Sequence, residues 1–494
     1  MSLRSFSQSI ARCKSRLAAL GPSRGEKGLQ APHIIAAEAI FALQNELLLF
    51  AAVFFAIGML DEFAVDAVYF WNRLTGGMRT PRVDEHSLAR QQLSGMAAVF
   101  IPAWKEDAVI GPTLAHALAS WPQDELRIYV GCYRNDPHTI ASVMAASRGD
   151  ERVRVVIVGE DGPTSKAHCL NRLYDALRTD EARCGYRAHM VVLHDAEDMI
   201  DAAALPLMDF AVWNSDFVQL PVMALPPSDS RWIASHYSDE FAEAHAKVMA
   251  VRQHLGAAIP GAGVGCAFAR PMLDRLVKDG ATGPFPEGSL TEDYELGLEV
   301  HALGGKGRYL RVRTNEGRLV ATRAYFPDEL EQSVRQKTRW THGIALQGWD
   351  RLGWGGSLAQ RWMTLRDRRG PLAAILLLIA YVTMALAMAM HLAADMGLVS
   401  PQKTSPVLGA LLLVTFVGLA WRLFLRAVFT GREYGLKQGL LAIPRVVVSN
   451  IITIMSGRRA LAAYLRTLRG APVVWDKTSH RAHPALAALK ERAA

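Results

Sequence analysis

Two uncharged runs in the last third of the chain limit its fold more than any other feature. Pro371 to Met390 is 20 residues without a charge, and Thr404 to Trp421 gives 18 more. At about 1.5 Å per residue, each can cross the hydrocarbon core of a bilayer as a helix. Arg366, Arg368 and Arg369 precede the first run, and Arg422, Arg426 and Arg432 follow the second. The link between them holds one Lys and one Asp. Basic flanks stay on the cytoplasmic side, so both outer flanks are expected there and the link outside. Transmembrane helices are expected over 371–393 and 404–430.

The N-terminal region is less direct. A basic segment, 1–33, leads into an apolar region, 34–72, in which Leu47 to Leu60 is 14 uncharged residues followed by DEFAVDAVYFW. One span with its acidic end at the interface is expected, and a tight hairpin over 34–70 is the alternative. With no small-residue cleavage site after the apolar stretch, a cleaved signal is not expected. Residues 437–494 mix apolar runs with basic residues, which suits an interfacial amphipathic helix and a basic tail. The net charge of +8 would ordinarily suggest nucleic acid. However, residues 421–494 hold 13 Lys and Arg against 3 Asp and Glu, a net of +10, so the rest sums to −2. The excess sits beside the membrane segments, and no nucleic-acid partner is expected. Five scattered cysteines without a CxxC pair argue for reduced thiols rather than a disulfide scaffold or zinc ribbon.

Between 96 and 350 the texture changes. Short apolar runs at 97–103, 126–133, 152–159, 189–195 and 217–223 alternate with helical patterns near 108–120, 137–147, 165–178 and 202–214. This alternation implies βαβ units and a parallel sheet covered on both faces. Ligands of such sheets bind beyond the carboxyl ends of the strands. GAGVG at 261–265 lacks the Lys-Ser/Thr of a phosphate loop, and its glycines more simply permit close backbone packing.

Four short segments carry candidate chemistry. HDAED, His194 to Asp198, ends the apolar strand MVVL. Carboxylates there suit a hard cation such as Mg²⁺ or Mn²⁺ that also takes phosphate oxygens, or else form a solvated acidic turn. TED, Thr291 to Asp293, opens a helix that Ser289 or Thr291 is expected to cap, and Asp293 becomes a general base if it faces the cleft. QKTRW, Gln336 to Trp340, offers the Arg339 fork to phosphate and the Trp340 face to a sugar, or serves as an interface anchor. Lys166, in TSKAHCLN, starts a helix where the dipole opposes it, which suggests an anion between the two.

In this order and spacing the segments resemble the inverting family 2 glycosyltransferases, in particular processive membrane synthases of the cellulose and hyaluronan type. PAWKE (102–106) is similar to their opening motif, SKAHCLN to their KAxxLN, HDAED to DxD, and GVGCAFAR, TED and QxxRW follow in order. The lead-in MLDEFAVDAVYFW, the segment VGCYRNDPHT and the C-terminal WDKTSH resemble the bacterial phage-adsorption-protein subfamily.

The resemblance implies a GT-A-type α/β domain in the cytoplasm, inserted between helices of a bacterial inner membrane. It assigns Trp104 and Glu106 to the nucleotide, Lys166 to UDP, and Asp195, Glu197 and Asp198 to Mg²⁺ or Mn²⁺. Asp293, with Glu292 beside it, becomes the catalytic carboxylate, Gln336 and Arg339 contact the pyrophosphate, and Trp340 carries the acceptor. Lys477 and Thr478 are expected to gate bound UDP. The implied reaction moves a sugar, expected to be of the N-acetylmannosamine type, from UDP to a growing envelope glycan. Transfer to a lipid-linked acceptor and an inactive membrane scaffold are the alternatives, and an outer-envelope export partner is left open. Longer subfamily members carry a C-terminal domain associated with cyclic di-GMP, and control through such a domain is not expected in a chain read to Ala494.

Overall fold

The computed structural model describes residues 32–227, 230–399, 404–471 and 483–486. Its centre is a seven-stranded sheet of β1 (Ala97–Pro102), β2 (Leu126–Tyr133), β3 (Val153–Val158), β4 (Met190–Leu193), β5 (Phe217–Gln219), β6 (Cys266–Ala269) and β7 (Gly307–Tyr309). The spatial order is β3-β2-β1-β4-β6-β5-β7. All pairs are parallel except those of β6, which runs antiparallel to β4 and β5. The sheet is thus mixed rather than wholly parallel. The inner strands β1 and β4 are continuous apolar runs because both faces are covered. Leu114, Trp121 and Met208 pack on one face, and Leu173, Leu177 and Phe268 on the other.

Helix α1 (Pro32–Leu74) precedes the domain. Within it lie α2 (Lys166–Cys184), α3 (Glu292–Ala302) and α4 (Leu330–Trp340), and α5 (Gly370–Asp395), α6 (Pro406–Tyr434) and α7 (Leu436–Leu468) follow. Among the described residues, α1, α5, α6 and α7 are long and apolar enough to cross a membrane, by length and composition. Residues 437–468 therefore belong to a 33-residue helix that packs along α4, α5 and α6. Arg445, one of the charges that suggested a surface helix, is fully buried with its Nε 3.2 Å from Asp239 of the α/β domain.

The acidic end of α1 has a specific use. Asp61 lies 2.6 Å from Arg369, while Glu62 meets Arg366 at 2.9 Å and Arg422 at 2.5 Å. One turn on, Asp66 takes Lys247 at 2.5 Å, and Lys247 also meets Glu243 at 2.9 Å. Three helices are thereby tied to the α/β domain at the level where their uncharged stretches end. Losing one partner of so buried a set would leave the others uncompensated.

Candidate active site

The site lies beyond the carboxyl ends of β1 and β4, on the side of the sheet that faces α4. After β1 the chain turns sharply: the Ala103 N–H donates to the Gly131 carbonyl, and Lys105 adopts φ +53 with its N–H on Asp136. The Glu106 N–H donates to Thr139. Trp104 is thereby set edge-on against Tyr133, ring centroids 5.1 Å apart. Asn135 locks the facing loop through two hydrogen bonds with the Gly162 backbone, 2.8 and 2.9 Å. Tyr133 and Asn135, in the segment CYRND, thus shape this wall. Sequence reasoning singled out neither, because neither is a charged or nucleophilic side chain.

Ser165 caps α2 by accepting the His168 N–H, which fixes Lys166 at the first helical position. The anion expected beside Lys166 is a carboxylate of the chain itself: Nζ lies 2.6 Å from Asp195 Oδ1. Burial alone would lower the Lys166 pKa, but Asp195, Glu292 and Asp293 together hold it above its ordinary value.

HDAED divides its labour. Asp195 and Glu197 are half-buried and line the cavity. Asp198, expected as a third metal ligand, also lines the larger cavity, but one of its oxygens is engaged in the turn. Its Oδ2 accepts the Asp195 N–H and lies 2.9 Å from His194 Nδ1, so it staples the turn. Burial pushes its carboxyl up to about 6, against the pull of His194. The buried His483 ring, from the C-terminal segment, sits 3.1 Å from the Asp198 carbonyl. Among the described residues no group of three or more His, Cys, Asp or Glu is arranged to hold a metal.

A pair of carboxylates can still suit Mg²⁺ or Mn²⁺, which fill their remaining positions with phosphate and water oxygens. The opposite wall fits that completion. Gln336 Oε1 and Arg339 Nε are buried on α4 and make no hydrogen bond among the described residues. Orphaned buried polar atoms are rare enough to need a partner, and a phosphate oxygen in this recess would supply one for Arg339.

α3 opens without its expected cap. Thr291 makes no side-chain capping bond; Ser289 instead accepts the Thr291 N–H and donates to Glu295. Asp293 accepts the Tyr294 N–H at 2.7 Å and turns its other oxygen toward Lys166 and Gly263. The glycines of GAGVG do permit close approach. A Cβ on Gly261 would stand 2.5 Å from the Asp293 carbonyl oxygen, and one on Gly263 2.5 Å from Asp293 Oδ2. Burial raises the Asp293 pKa, with Lys166 and Arg339 opposing. Glu292 is pushed up to about 7 by burial and then by the charge of Asp293.

Lys166, Asp195, Glu197, Asp293, Arg339 and Trp340 line one cavity of about 650 Å³. A second recess shares Lys166, Asp195, Glu197, Gln336 and Arg339 with it and adds Trp104 and Glu106. Trp340 stacks with Phe241 at 6.3 Å and lies edge-on to Tyr237 at 6.0 Å, forming an aromatic wall that continues to Phe326. Phe241 and Phe326 were not singled out in the sequence, since both lie in mixed segments far along the chain from Trp340 or separated from it by a loop, and meet it only in the fold. Lys477 and Thr478 lie outside the described residues.

Residues 95–343 match the family model described as "Glycosyltransferase like family 2". The chain is 32% identical to "Bacteriophage adsorption protein B" of Escherichia coli K12, over 87% of this chain and 61% of that protein. "Bacteriophage N4 adsorption protein B" of Escherichia coli O157:H7 matches to the same extent. The chain therefore spans 61% of the length of these relatives. Among solved structures, a mannosyltransferase of Pyrobaculum calidifontis in complex with GDP-Man and Mn²⁺ aligns with TM-score 0.46 and 17% identity, over 80% of this chain and 98% of that one. Glucosyl-3-phosphoglycerate synthase of Mycobacterium tuberculosis, with Mn²⁺, UDP and phosphoglyceric acid, aligns with TM-score 0.31 and 17% identity, over 51% and 78%.

Proposed function

The chain belongs to glycosyltransferase family 2, and from that premise we propose that it is an inverting transferase. Its reaction moves a sugar from a UDP-sugar to the hydroxyl of an envelope glycan at the inner membrane. The observation that carries this reading is the shared cavity: Asp293, the Asp195–Glu197 pair and Arg339 line one space.

The donor's base rests in the recess of Trp104 and Glu106, and its diphosphate lies between Lys166 and the Gln336–Arg339 face. Asp195 and Glu197 would hold Mg²⁺ or Mn²⁺, which neutralises charge on the departing diphosphate when bound. Asp293 takes the proton of the acceptor hydroxyl, whose oxygen attacks the anomeric carbon from the face opposite the diphosphate. The new C–O bond forms as the old one breaks, and the electron pair leaves with the diphosphate. Arg339 and Lys166 stabilise that charge from fixed positions. The desolvation that raises the Asp293 pKa also makes it a stronger base than a solvated aspartate.

The acceptor side favours an elongated substrate. The cavity passes Trp340 and Phe241 and reaches Arg366 and Asp367, at the base of the helices. Aromatic faces suit sugar rings, and an opening toward the membrane suits a chain that leaves through it or a lipid-linked primer. The test is nucleoside diphosphate release by detergent-purified protein across a panel of UDP- and GDP-sugars. Release with one UDP-sugar, dependent on Mg²⁺ or Mn²⁺ and lost in Asp293→Asn, supports the reading. Full biological function in cells carrying Asp293→Asn would replace it with the scaffold alternative.

A further inference from the structure

A further concavity, of about 320 Å³, lies away from the cavity and recess just described. Arg73, Arg79, Arg308, Arg311 and Arg432 line it together with His254, and its lining contains no Asp or Glu. These arginines come from the last turn of α1, the loop after it, the β7 region and the last turn of α6. Arg311 is anchored in the wall: it donates to Thr80 at 3.1 Å and to Glu433 at 2.7 Å, with its side chain 10% exposed. Glu433 is shared with Arg313, so it is already matched by two guanidinium groups. Among the described residues, Arg73, Arg79, Arg308 and Arg432 have no carboxylate within ion-pair distance. Arg313, beside the pocket, has its pKa lowered by burial and, despite Glu433, further by Arg311 and Arg432. Cations gathered at this density repel one another, and a multivalent anion relieves the repulsion.

The position decides which anion. The ion pairs of Asp61, Glu62, Arg369 and Arg422 mark where the uncharged stretches of the helices end. Arg73 is 11 residues beyond Glu62 on α1, and Arg432 is 10 beyond Arg422 on α6. At ~1.5 Å per residue the pocket is roughly 15 Å further from the membrane than that layer. A headgroup layer is only about 5–8 Å thick on each side, so a bilayer lipid does not reach the pocket. We propose that this arginine pocket binds a soluble phosphate-bearing anion, separately from the catalytic cavity. Planar guanidinium forks from several segments suit the oxygens of a di- or polyphosphate. An anion bound there would tie the ends of α1 and α6 to the sheet at β7.

The proposal is tested by calorimetric titration of inorganic pyrophosphate into the full chain, in metal-free buffer and in phosphatidylcholine nanodiscs. The comparison is with Arg79→Ala/Arg432→Ala, and with Arg308→Gln as a milder exposed variant. Saturable binding that weakens at least tenfold in the double variant and measurably in Arg308→Gln, with unchanged melting temperature, is expected. Equal binding in all three proteins overturns the site, as does absence of binding in the parent. Loss of pyrophosphate binding when the nanodiscs contain phosphatidylglycerol overturns the soluble-ligand assignment in favour of a lipid headgroup. None of these outcomes depends on Asp293 or on turnover, so the catalytic reading stands or falls separately.

Discussion

Gly263→Ala adds a single methyl group and tests how the catalytic carboxylate is held. Gly263 has φ +74, and a Cβ there would stand 2.5 Å from Asp293 Oδ2 and 3.2 Å from Lys166 Nζ. Two costs follow. A left-handed conformation for a residue with a Cβ costs about 1–2 kcal/mol. Ordinary contact begins at 3.4 Å, so the Asp293 carboxylate must retreat by the difference from 2.5 Å, 0.9 Å. It has little freedom to do so, because its other oxygen holds the Tyr294 N–H and Gly261 packs against its carbonyl. A displacement near 1 Å at a reacting group lowers turnover about 10²-fold. Gly304→Ala is the control: its φ is +78, and a Cβ there meets nothing within 4 Å. Both variants should lose a few degrees of melting temperature, while only Gly263→Ala loses about 10²-fold in the rate of nucleoside diphosphate release. A Gly263→Ala rate within threefold of the parent, or an equal loss in Gly304→Ala, would refute the argument.

Three further outcomes are expected. Because burial raises the Asp293 pKa and the carboxylate must be ionised to take a proton, turnover falls as pH drops, with an acid limb above the ordinary aspartate value of 3.8. A pH–rate profile flat down to pH 4 contradicts this. Trp104→Ala removes the aromatic wall of the nucleotide recess and should weaken UDP binding by about 1–3 kcal/mol, roughly 5- to 150-fold, in a direct titration. Glu62→Gln removes the carboxylate that Arg366, Arg369 and Arg422 share, leaving them only Asp61 and Glu243, and should destabilise the folded protein by about 1.5–3 kcal/mol. Its melting temperature in detergent reports that loss, and an unchanged value would mean the ion cluster does not fasten the helices.

Much of the fold was legible in the sequence, for reasons that also explain what was not. Strands of four or more apolar residues buried on both faces, such as 97–102 and 190–193, announce themselves without alternation. Gly307–Tyr309 is too short for that signal, and Cys266–Ala269, though as long as 190–193, continues the glycine segment GVGCAFAR and carries no mark of its direction, so the antiparallel insertion that makes the sheet mixed was invisible. The acidic turn of HDAED could be placed, but not apportioned. A carboxylate at a strand end serves equally to ligate a cation or to bind the backbone, and only the geometry shows that Asp198 Oδ2 does the latter. The same ambiguity misled the reading of Thr291, whose expected capping role passes to neighbouring groups. GAGVG was read correctly as a close approach, although its neighbour across the gap, Asp293, was not foreseen. The arginine pocket had no local signature, because its arginines come from positions between 73 and 432 and meet only in the fold.

The most direct test of the central claim compares the parent protein with Asp293→Asn in UDP release and UDP binding, each with and without Mn²⁺. The account predicts metal-dependent release in the parent, reduced about 10²- to 10⁴-fold in the variant, with UDP still bound. Release that persists in Asp293→Asn, or that ignores the metal, would contradict the assignment of base and carboxylate pair alike.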